Sequence, residues 1–400
     1  MSGITSLAVW VADQRSGMLA REPDQKYIFA YESAGAEDIQ VSLTMPVRLE
    51  SWLSRGLHPI FQMNLPEGAL LEAIRRVIAK IIGADDLSIL RVTGGHQVGR
   101  NRFSLPDAGL QNAPETPESL DELLTYPDTQ ALFHELVARY ALRSGISGVQ
   151  PKVLLEAAAR GTLSSDHYIV KSWGTEYPCL AANEYFCMTA AKRSGLPTPE
   201  FFLSDNGGLF ILRRFDITAD GHAMGFEDMC SLQALGTAQK YSGSYERIAK
   251  SIGSFVSGPC LMAAREQFFA TLVLSVMQRN GDAHLKNFGV LYKTPGDPVA
   301  LAPVYDLVTT AAYIQNDVPA LTLAGTKKWW PRKLLERFAL AHLSLPAATI
   351  PTTFDRLAQA LTETRALIPA YIKDHPEFRP VGERMLASWD QGLKEVLSSG

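Results

Sequence analysis

The sequence predicts an α+β protein whose strand-forming segments come first and whose helical segments come later. Apolar residues alternate with other residues in several segments between residues 5 and 45, as in half-buried strands. From about Tyr245 onward the pattern is mainly helical, with a polar interruption over residues 280–306. A chain of 400 residues also exceeds what one hydrophobic core usually covers. We therefore expect two lobes with a cleft between them, preceded by a small β-rich unit.

The composition is that of a soluble globular protein, because 46% of the residues are hydrophobic and 20% are charged. The formal net charge is −4, whereas a protein that binds nucleic acid by itself normally carries a strongly basic face. The cysteines show no C-x-x-C spacing, so the sequence indicates neither a zinc site nor a disulfide framework. We expect reduced and mostly buried thiols at Cys179, Cys187, Cys230 and Cys260.

The predicted location is the cytoplasm, with no membrane partner. The first residues lack the charged segment, apolar run and cleavage site of a signal peptide. The most apolar window covers residues 268–277 and is only 10 residues long. Because a membrane-spanning helix needs roughly 20 apolar residues, this window predicts a buried core helix.

Residues 1–105 are predicted to form the small β-rich N-terminal unit. Strands are expected over residues 7–11, 27–29 and 41–45, where apolar residues alternate or strand formers cluster. A helix is expected over residues 65–82, since it opens with proline and glutamate and ends before a glycine. Residues 106–119 are rich in proline and acids and are predicted to be a surface linker.

The remaining chain is predicted to contain an N-lobe over residues 120–240 and a helical C-lobe over residues 241–400. The N-lobe should begin with one helix over residues 120–140, followed by a glycine- and serine-rich turn at residues 144–148. Strands are then expected, and a helix over residues 181–193 is closed by glycine and proline. The predicted strands cover residues 152–155, 167–170, 201–203 and 209–212.

The strongest motif is DAHLKN, residues 282–287, in the polar interruption after the apolar helix. An acid followed five positions later by an asparagine is the spacing of a kinase catalytic loop. The acid must face the attacking hydroxyl while the amide reaches the metal that binds the phosphates. His284 lies between them, and we expect it to brace the loop through hydrogen bonds rather than to bind a metal.

Four weaker features stand in the order that a protein-kinase-like fold requires. They are the turn at residues 144–148, Lys171 at the end of a strand, Glu184 at the start of a helix, and Asp306 after an apolar run. Taken singly, each is more often an ordinary turn, a solvated strand end, a favourable helix N-terminus or a turn residue. Their order around the DAHLKN loop predicts a two-lobed protein-kinase-like fold.

The chain resembles the HipA family, the serine/threonine kinase toxins of bacterial type II toxin–antitoxin pairs. The most specific matches are GDAHLKNF, the glycine-rich segment and PVYD. The resemblance covers nearly the whole chain through ISGVQPK (residues 146–152), YIVK (168–171), NEYFCMTAA (183–191), RRFD (213–216), EDMCSLQALG (227–236), GDAHLKNF (281–288) and APVYDLV (302–308), with VSLTMP (41–46) and NLPEG (64–68) in the N-terminal unit.

This resemblance implies a role for each matching residue. Asp282 would be the catalytic base, and Asn287 and Asp306 would hold Mg²⁺. The segment that would form the hinge beside adenine is residues 212–215. Arg213 in this segment stands where some members have an acid, which changes the side-chain contacts expected there. The residues that the resemblance implies for ATP binding are Ile146, Ser147, Gly148, Val149, Gln150, Lys152, Lys171, Leu212, Arg213, Phe215, His284 and Lys286.

The resemblance also implies self-phosphorylation of a serine in the glycine-rich loop. Many members carry a serine at the position of Gly145, whereas the serines here are Ser144 and Ser147. Ser147 lies inside the segment expected to cover the phosphates and is the favoured acceptor. A turn serine bonded to its own backbone is the alternative interpretation.

The implied partners are a protein substrate and a small antitoxin. The family precedent for the substrate is an aminoacyl-tRNA synthetase, whose phosphorylation arrests translation and growth. A helix-turn-helix HipB-like antitoxin would supply binding to operator DNA, which agrees with the acidic balance of this chain. Two alternatives stay open: a small-molecule phosphotransferase of kinase-like fold, and a catalytically silent corepressor scaffold.

Overall fold

The computed structural model describes residues 5–33, 37–79, 83–110, 117–140, 150, 152–158 and 165–397. The chain divides into two compact units, each built from three stretches of sequence. The first unit contains Met1–Ser172, Ile211–Gln239 and Val290–Val299, and the second contains Trp173–Phe210, Lys240–Gly289 and Ala300–Gly400.

An antiparallel sheet at the N-terminus forms the β-rich part of the first unit. Its strands follow the order β4-β3-β2-β1-β5, and the apolar side chains of β1 are buried. This confirms the strands expected over residues 7–11 and 27–29. The strands are β1 (Ser6–Val11), β2 (Gln14–Arg21), β3 (Tyr27–Tyr31), β4 (Trp52–Ser54) and β5 (Asn101–Ser104), and the helices are α1 (Pro59–Gln62), α2 (Gly68–Ile78) and α3 (Asp86–Thr93).

The strand predicted over residues 41–45 is wrong. The structure has a turn there, closed by a bond from the backbone N–H of Met45 to the carbonyl of Ser42. Side chains take the place of a neighbouring strand, since the Val41 N–H donates to the Tyr31 hydroxyl and the Leu43 N–H donates to Glu227 Oε1. An alternating apolar pattern shows only that one side of a segment is buried. Here side-chain acceptors, and not the hydrogen bonds of a neighbouring strand, satisfy the backbone N–H groups.

A second sheet of the first unit contains β6, β7, β8 and β10 as neighbours in this order. The helix predicted over residues 120–140 is broken at Pro127, because proline disfavours helical geometry at the preceding residue and Tyr126 is extended with ψ 125°. The elements over residues 118–232, of which α6 and β9 belong to the second unit, are β6 (Glu118–Ser119), α4 (Leu120–Thr125), α5 (Thr129–Tyr140), β7 (Lys152–Ala158), β8 (Asp166–Lys171), α6 (Leu180–Arg193), β9 (Phe201–Leu203), β10 (Phe210–Arg213), β11 (Gly225–Asp228) and α7 (Met229–Leu232).

Helices dominate the second unit, and the C-terminal half of α9 is buried throughout. Every residue of α9 from Phe268 to Gln278 is buried, which confirms the predicted core helix. It is also the one helix among the described residues that is long and apolar enough to cross a membrane, and 61% of that apolar window lies inside the protein. The remaining elements are α8 (Tyr245–Phe255), α9 (Gly258–Gln278), β12 (Gly289–Tyr292), β13 (Ala300–Leu301), α10 (Arg332–Leu343), α11 (Thr349–Arg365), α12 (Ile368–Asp374) and α13 (Arg379–Leu397).

A buried ion pair joins the N-terminal sheet to the segment after β10. Arg214 contacts both carboxylate oxygens of Asp216, at 3.0 and 2.6 Å. Asp216 also accepts the backbone N–H of Gly99 at 2.7 Å, and Arg214 donates to the carbonyl of Gln97 at 2.8 Å. Burial alone would raise the pKa of Asp216, but the charge and hydrogen bonds of Arg214 outweigh it and hold the pKa below its usual value.

Glu227 forms a second buried link between the same regions. Its carboxylate is fully buried and accepts three hydrogen bonds, from the Ser42 hydroxyl (2.6 Å), the Leu43 N–H (2.7 Å) and the Tyr292 hydroxyl (2.6 Å). Burial raises the pKa of Glu227, and the three donors oppose that rise. The turn at residues 41–45 therefore takes its shape from a carboxylate that lies far away in the sequence.

We expect Glu227→Ala to lower the free energy of unfolding by about 3 kcal/mol, because three buried donors lose their acceptor. Glu32→Ala is the matched control. It removes a carboxylate from a half-exposed ion pair with Arg15 and should cost about 0.5 kcal/mol. Urea unfolding followed by circular dichroism measures both, and equal losses would contradict a structural role for the Glu227 carboxylate.

Candidate active site

The DAHLKN loop begins where α9 ends in the second unit. Arg279 adopts the left-handed conformation (φ 56°), which stops the helix and turns the chain sharply. Gly281 follows, and a Cβ atom there would lie 2.2 Å from a carboxylate oxygen of Asp317. The next residue, Asp282, is fixed through its backbone N–H, which donates to Asn280 Oδ1 at 3.0 Å. This geometry explains why a glycine precedes the acid.

Hydrogen bonds from two directions fix the loop itself. The N–H of His284 donates to Asn287 Oδ1 at 2.9 Å, and the N–H of Asn287 donates to the His284 carbonyl at 3.0 Å. From the segment before α8, the Lys240 carbonyl accepts the Leu285 N–H at 3.1 Å. From the first residue of α8, the Tyr245 hydroxyl donates to the Ala283 carbonyl at 2.9 Å. The loop is therefore preorganised before any ligand binds.

Asp306 lies beside Asn287, as the predicted metal pair requires. Asn287 Nδ2 donates to Asp306 Oδ2 at 3.2 Å, and Asp306 adopts the left-handed conformation (φ 62°). The neighbouring Tyr305 hydroxyl donates to the Lys286 carbonyl at 2.8 Å, so the two segments are bonded at two places. The structure brings Asn287 and Asp306 together although they are 19 positions apart in the sequence.

Burial sets the charge state of the two ionisable residues in the loop. It raises the pKa of Asp282 to about 6, with the Tyr241 hydroxyl opposing the rise and Asp306 adding to it. Burial and the charge of Lys240 lower the pKa of His284 to about 3, so its imidazole is neutral at pH 7. The bonds to Asn287 are made by the backbone of His284, so the bracing role expected of its side chain stays a prediction.

In the first unit, two predicted phosphate-binding lysines lie directly opposite each other. Lys152 on β7 and Lys171 on β8 are register partners, and both are buried. A lysine ammonium group is a suitable hydrogen-bond donor to phosphate oxygens. Gln150 is anchored at the same end of the sheet, since its amide donates to the Ser172 carbonyl at 3.0 Å.

The predicted adenine hinge, residues 212–215, begins in β10 of the first unit and continues past the end of that strand. Leu212 is buried in β10, and Phe215 packs edge-on against Phe226 with ring centroids 5.6 Å apart. Arg213 pairs with Asp166 on β8 at 2.6 Å, so its guanidinium is held by a neighbouring strand. The backbone of Arg214 donates to the carbonyl of His167 at 2.8 Å, which extends the strand pairing into the hinge.

Other residues named from the sequence lie away from the catalytic loop on the chain or outside the described residues. Glu184 is fully buried on α6 in the second unit. Sequence reasoning missed Tyr241 and Asp317, because neither belongs to a motif and both reach the loop only through the fold. The predicted phosphate-loop residues Ile146, Ser147, Gly148 and Val149 lie outside the described residues.

The donor atoms beside Asp282 fit magnesium. Among the residues that the structure describes, no group of three or more histidine, cysteine or acidic side chains is arranged to hold a metal ion. Asp306 offers a carboxylate, and Asn287 offers its amide oxygen Oδ1, which accepts the His284 N–H and has a second lone pair; the atom of Asn287 that lies 3.2 Å from Asp306 Oδ2 is the amide nitrogen. Mg²⁺ prefers oxygen ligands and is usually held by one or two side chains together with phosphates and water.

The charge of Asp282 should cost the protein stability at neutral pH. The pKa rises from 3.8 to about 6 on folding, so the folded state opposes ionisation. This cost is present above pH 6 and disappears as the pH falls towards 4. In metal-free buffer we expect Asp282→Asn to raise the unfolding free energy at pH 7.5 by about 1–2 kcal/mol, and not at pH 4.

The control for this measurement is Asp205→Asn, which changes an exposed aspartate. Urea unfolding at the two pH values should show no pH-dependent difference for it. A gain for Asp282→Asn that persists unchanged at pH 4 would contradict the assigned charge cost.

Comparisons with known proteins identify the family of this chain. Residues 7–104 match the family model of the HipA N-terminal domain, and residues 144–365 match that of the HipA-like C-terminal domain. A Sinorhizobium fredii protein named "Putative kinase Y4dM" is 29% identical over 412 residues, which cover 94% of each chain. A second protein of that organism, "Putative kinase Y4mE", is 28% identical over 332 residues, which cover 77% of this chain and 78% of the relative.

Among solved structures, the chain is similar to HipA of Shewanella oneidensis MR-1, which was solved in complex with HipB and its operator DNA. The TM-score is 0.70 and the identity 20%, and the match covers 98% of this chain and 97% of that one. This likeness concerns the fold, and it confirms the predicted fold class. Since the C-terminal family model alone spans more than half of the chain, the protein belongs to the HipA family.

Proposed function

We propose that this chain is an ATP- and Mg²⁺-dependent serine/threonine protein kinase of the HipA toxin type. The observation that carries the proposal is the loop that presents Asp282 and holds Asn287 against Asp306. A base and a metal-binding side chain on one preorganised loop, with a second metal-binding side chain held beside them on another segment, would be the parts that phosphoryl transfer needs. The names of the two Sinorhizobium fredii relatives support the same class of activity.

Asp282 would accept the proton of the attacking protein hydroxyl while that oxygen bonds to the terminal phosphorus and ADP leaves. With a pKa of about 6 it is mostly ionised at pH 7 and remains a competent base. Asn287 and Asp306 would hold Mg²⁺, which when bound neutralises charge on the phosphate oxygens. The neutral His284 keeps the loop closed without adding a cation beside the base.

In the first unit, Lys152 and Lys171 would bind the phosphates of ATP. Residues 212–215, with Leu212, Arg213 and Phe215, would hold adenine, and the pairing of Arg213 with Asp166 favours main-chain recognition of the base. Ile146, Ser147, Gly148, Val149 and Gln150 would cover the phosphates, and Lys286 would contact them from the catalytic loop.

The acceptor would be a serine or threonine of a cytosolic protein, with an aminoacyl-tRNA synthetase as the family precedent. Its phosphorylation would arrest translation and growth. The solved complex of the Shewanella oneidensis relative with HipB and operator DNA supports a helix-turn-helix antitoxin as partner. Operator DNA would be bound through that antitoxin, in keeping with the net charge of −4.

Two other functions are less well supported. A small-molecule phosphotransferase would have no need of the HipA N-terminal domain matched over residues 7–104. A silent corepressor scaffold would not need to retain Lys171, Asp282, Asn287 and Asp306, which are all present. The protein kinase accounts for both observations.

We expect Asp282→Asn and Asp306→Asn each to lower the rate of phosphoryl transfer at least a hundredfold and to leave a residual rate that can be measured. Loss of a base costs about 10²–10⁴ in rate, and loss of the Asp306 carboxylate removes charge neutralisation at the phosphates. Asparagine tolerates the positive φ of Asp306, so the backbone should stay intact. The measurement is transfer of ³²P from labelled ATP, with and without Mg²⁺.

Asp205→Asn serves again as the control and should keep the wild-type rate. In cells, expression of the wild type should arrest growth and Asp282→Asn should relieve the arrest. Wild-type rates in either loop variant would overturn the kinase assignment. Equal toxicity of the inactive variant would instead show that growth arrest does not depend on phosphorylation.

We also expect incubation with Mg-ATP to place a phosphate on Ser147. A phosphate there adds about −1.5 to −2 charges beside the ATP phosphates and competes for the same lysines and loop amides. Peptide mapping by mass spectrometry should find the modification, and Ser147→Asp should weaken ATP binding. Ser147→Ala should lose the phosphate while Ser144→Ala keeps it; the reverse pattern would assign the site to Ser144.

A further inference from the structure

Tyr241 makes a direct contact with the proposed catalytic base. Its hydroxyl donates to Asp282 Oδ1 at 2.7 Å. Among the described residues, this is the one side-chain hydrogen bond to that carboxylate, which leaves Oδ2 without a side-chain donor. Tyr241 belongs to no recognised motif and is 44% exposed, so core packing does not account for its position.

We propose that Tyr241 is a positioning residue that aims the Asp282 carboxylate at the acceptor hydroxyl. This inference rests on the proposed kinase function. The terminal torsion of an aspartate side chain is broad and has no sharp rotamer, so a base on a loop needs a partner that fixes its plane. With Oδ1 bonded to the phenol, Oδ2 is the oxygen presented to the incoming hydroxyl.

The phenol is itself held in place. The Tyr241 ring packs edge-on against the His284 ring with centroids 5.1 Å apart, and the Lys240 ammonium lies 5.5 Å from the Tyr241 ring centroid. The preceding carbonyl, that of Lys240, is bonded to Leu285 of the loop. A donor fixed at both its backbone and its ring can orient the base without a large loss of entropy in the reaction.

Several ionisable groups act on the Asp282 carboxylate. Asp306 and Asp317 disfavour its ionised form, whereas Lys240 and the Tyr241 hydroxyl favour it, and His284 is neutral. The phenol thus opposes the effect of burial on the pKa of Asp282 as well as fixing its direction.

A contrary interpretation predicts the opposite effect of removing the Tyr241 hydroxyl on the reaction rate. In that interpretation the Tyr241 hydroxyl occupies the place of the acceptor hydroxyl, at Oδ1 of the base. If it were a placeholder that substrate must displace, its removal would speed the reaction. If it were an acceptor, it would itself become phosphorylated.

The test is a double-mutant cycle with Tyr241→Phe and Asp282→Asn in the full chain. The readouts are ³²P incorporation into the chain and ADP formation, each against ATP concentration. We expect Tyr241→Phe to lower the maximal rate about tenfold or more and to change the half-saturating ATP concentration less than twofold. In the Asp282→Asn background the same substitution should have no effect, because the phenol acts through that carboxylate.

Tyr313→Phe is the matched control, since its hydroxyl donates to the Pro178 carbonyl and not to the loop. It should leave the maximal rate at the wild-type value. Equal fold-losses from Tyr241→Phe in both backgrounds would show a structural role and overturn the proposal. An unchanged or increased rate, or phosphate on the Tyr241 peptide, would overturn it too. A wild type that forms no ADP and incorporates no label would instead overturn the kinase function.

Discussion

The proposed active site depends on a loop whose backbone is bonded by side chains and by single main-chain contacts rather than by a helix or a sheet. The side-chain oxygen of Asn287 accepts the His284 N–H, and the Tyr245 hydroxyl donates to the Ala283 carbonyl. The side-chain oxygen of Asn280 accepts the Asp282 N–H. Buried backbone groups must find partners, and here each partner fixes one residue of the loop. The geometry of the base and of the metal pair follows from that requirement, because the same bonds that satisfy the backbone set the direction of the side chains.

Local sequence patterns predicted the fold class and the candidate catalytic loop. Alternation predicts β1, a run of strand-forming residues predicts β3, a long apolar run predicts the buried end of α9, and the spacing of Asp282 and Asn287 predicts the loop. What the sequence did not reveal depends on distant contacts. Tyr241 is 41 positions from Asp282, and Ser42 is 185 positions from Glu227. No local pattern encodes such pairs, and the erroneous strand over residues 41–45 has this origin.

The electrostatics of the two units differ in kind. The first unit buries two lysines at opposed positions of β7 and β8, whereas the second gathers Asp282, Asp306 and Asp317 near one loop. The acidic arrangement is unfavourable in the absence of a cation, since burial and the neighbouring aspartates disfavour ionisation of Asp282. Sites that bind a charged substrate commonly accept such a cost, because ligands of opposite sign remove it.

The fully buried carboxylates of Glu227 and Asp216 bear on how such chains can evolve. Glu227 is bonded to Ser42 and Leu43, and Asp216 to Gly99, so residues matched by the N-terminal family model complete the coordination of acids matched by the C-terminal one. If recombination exchanged either region between distant relatives, these buried acids would lose their hydrogen-bond donors. The two regions should therefore be inherited together, and compensating substitutions should be sought across their boundary rather than within each.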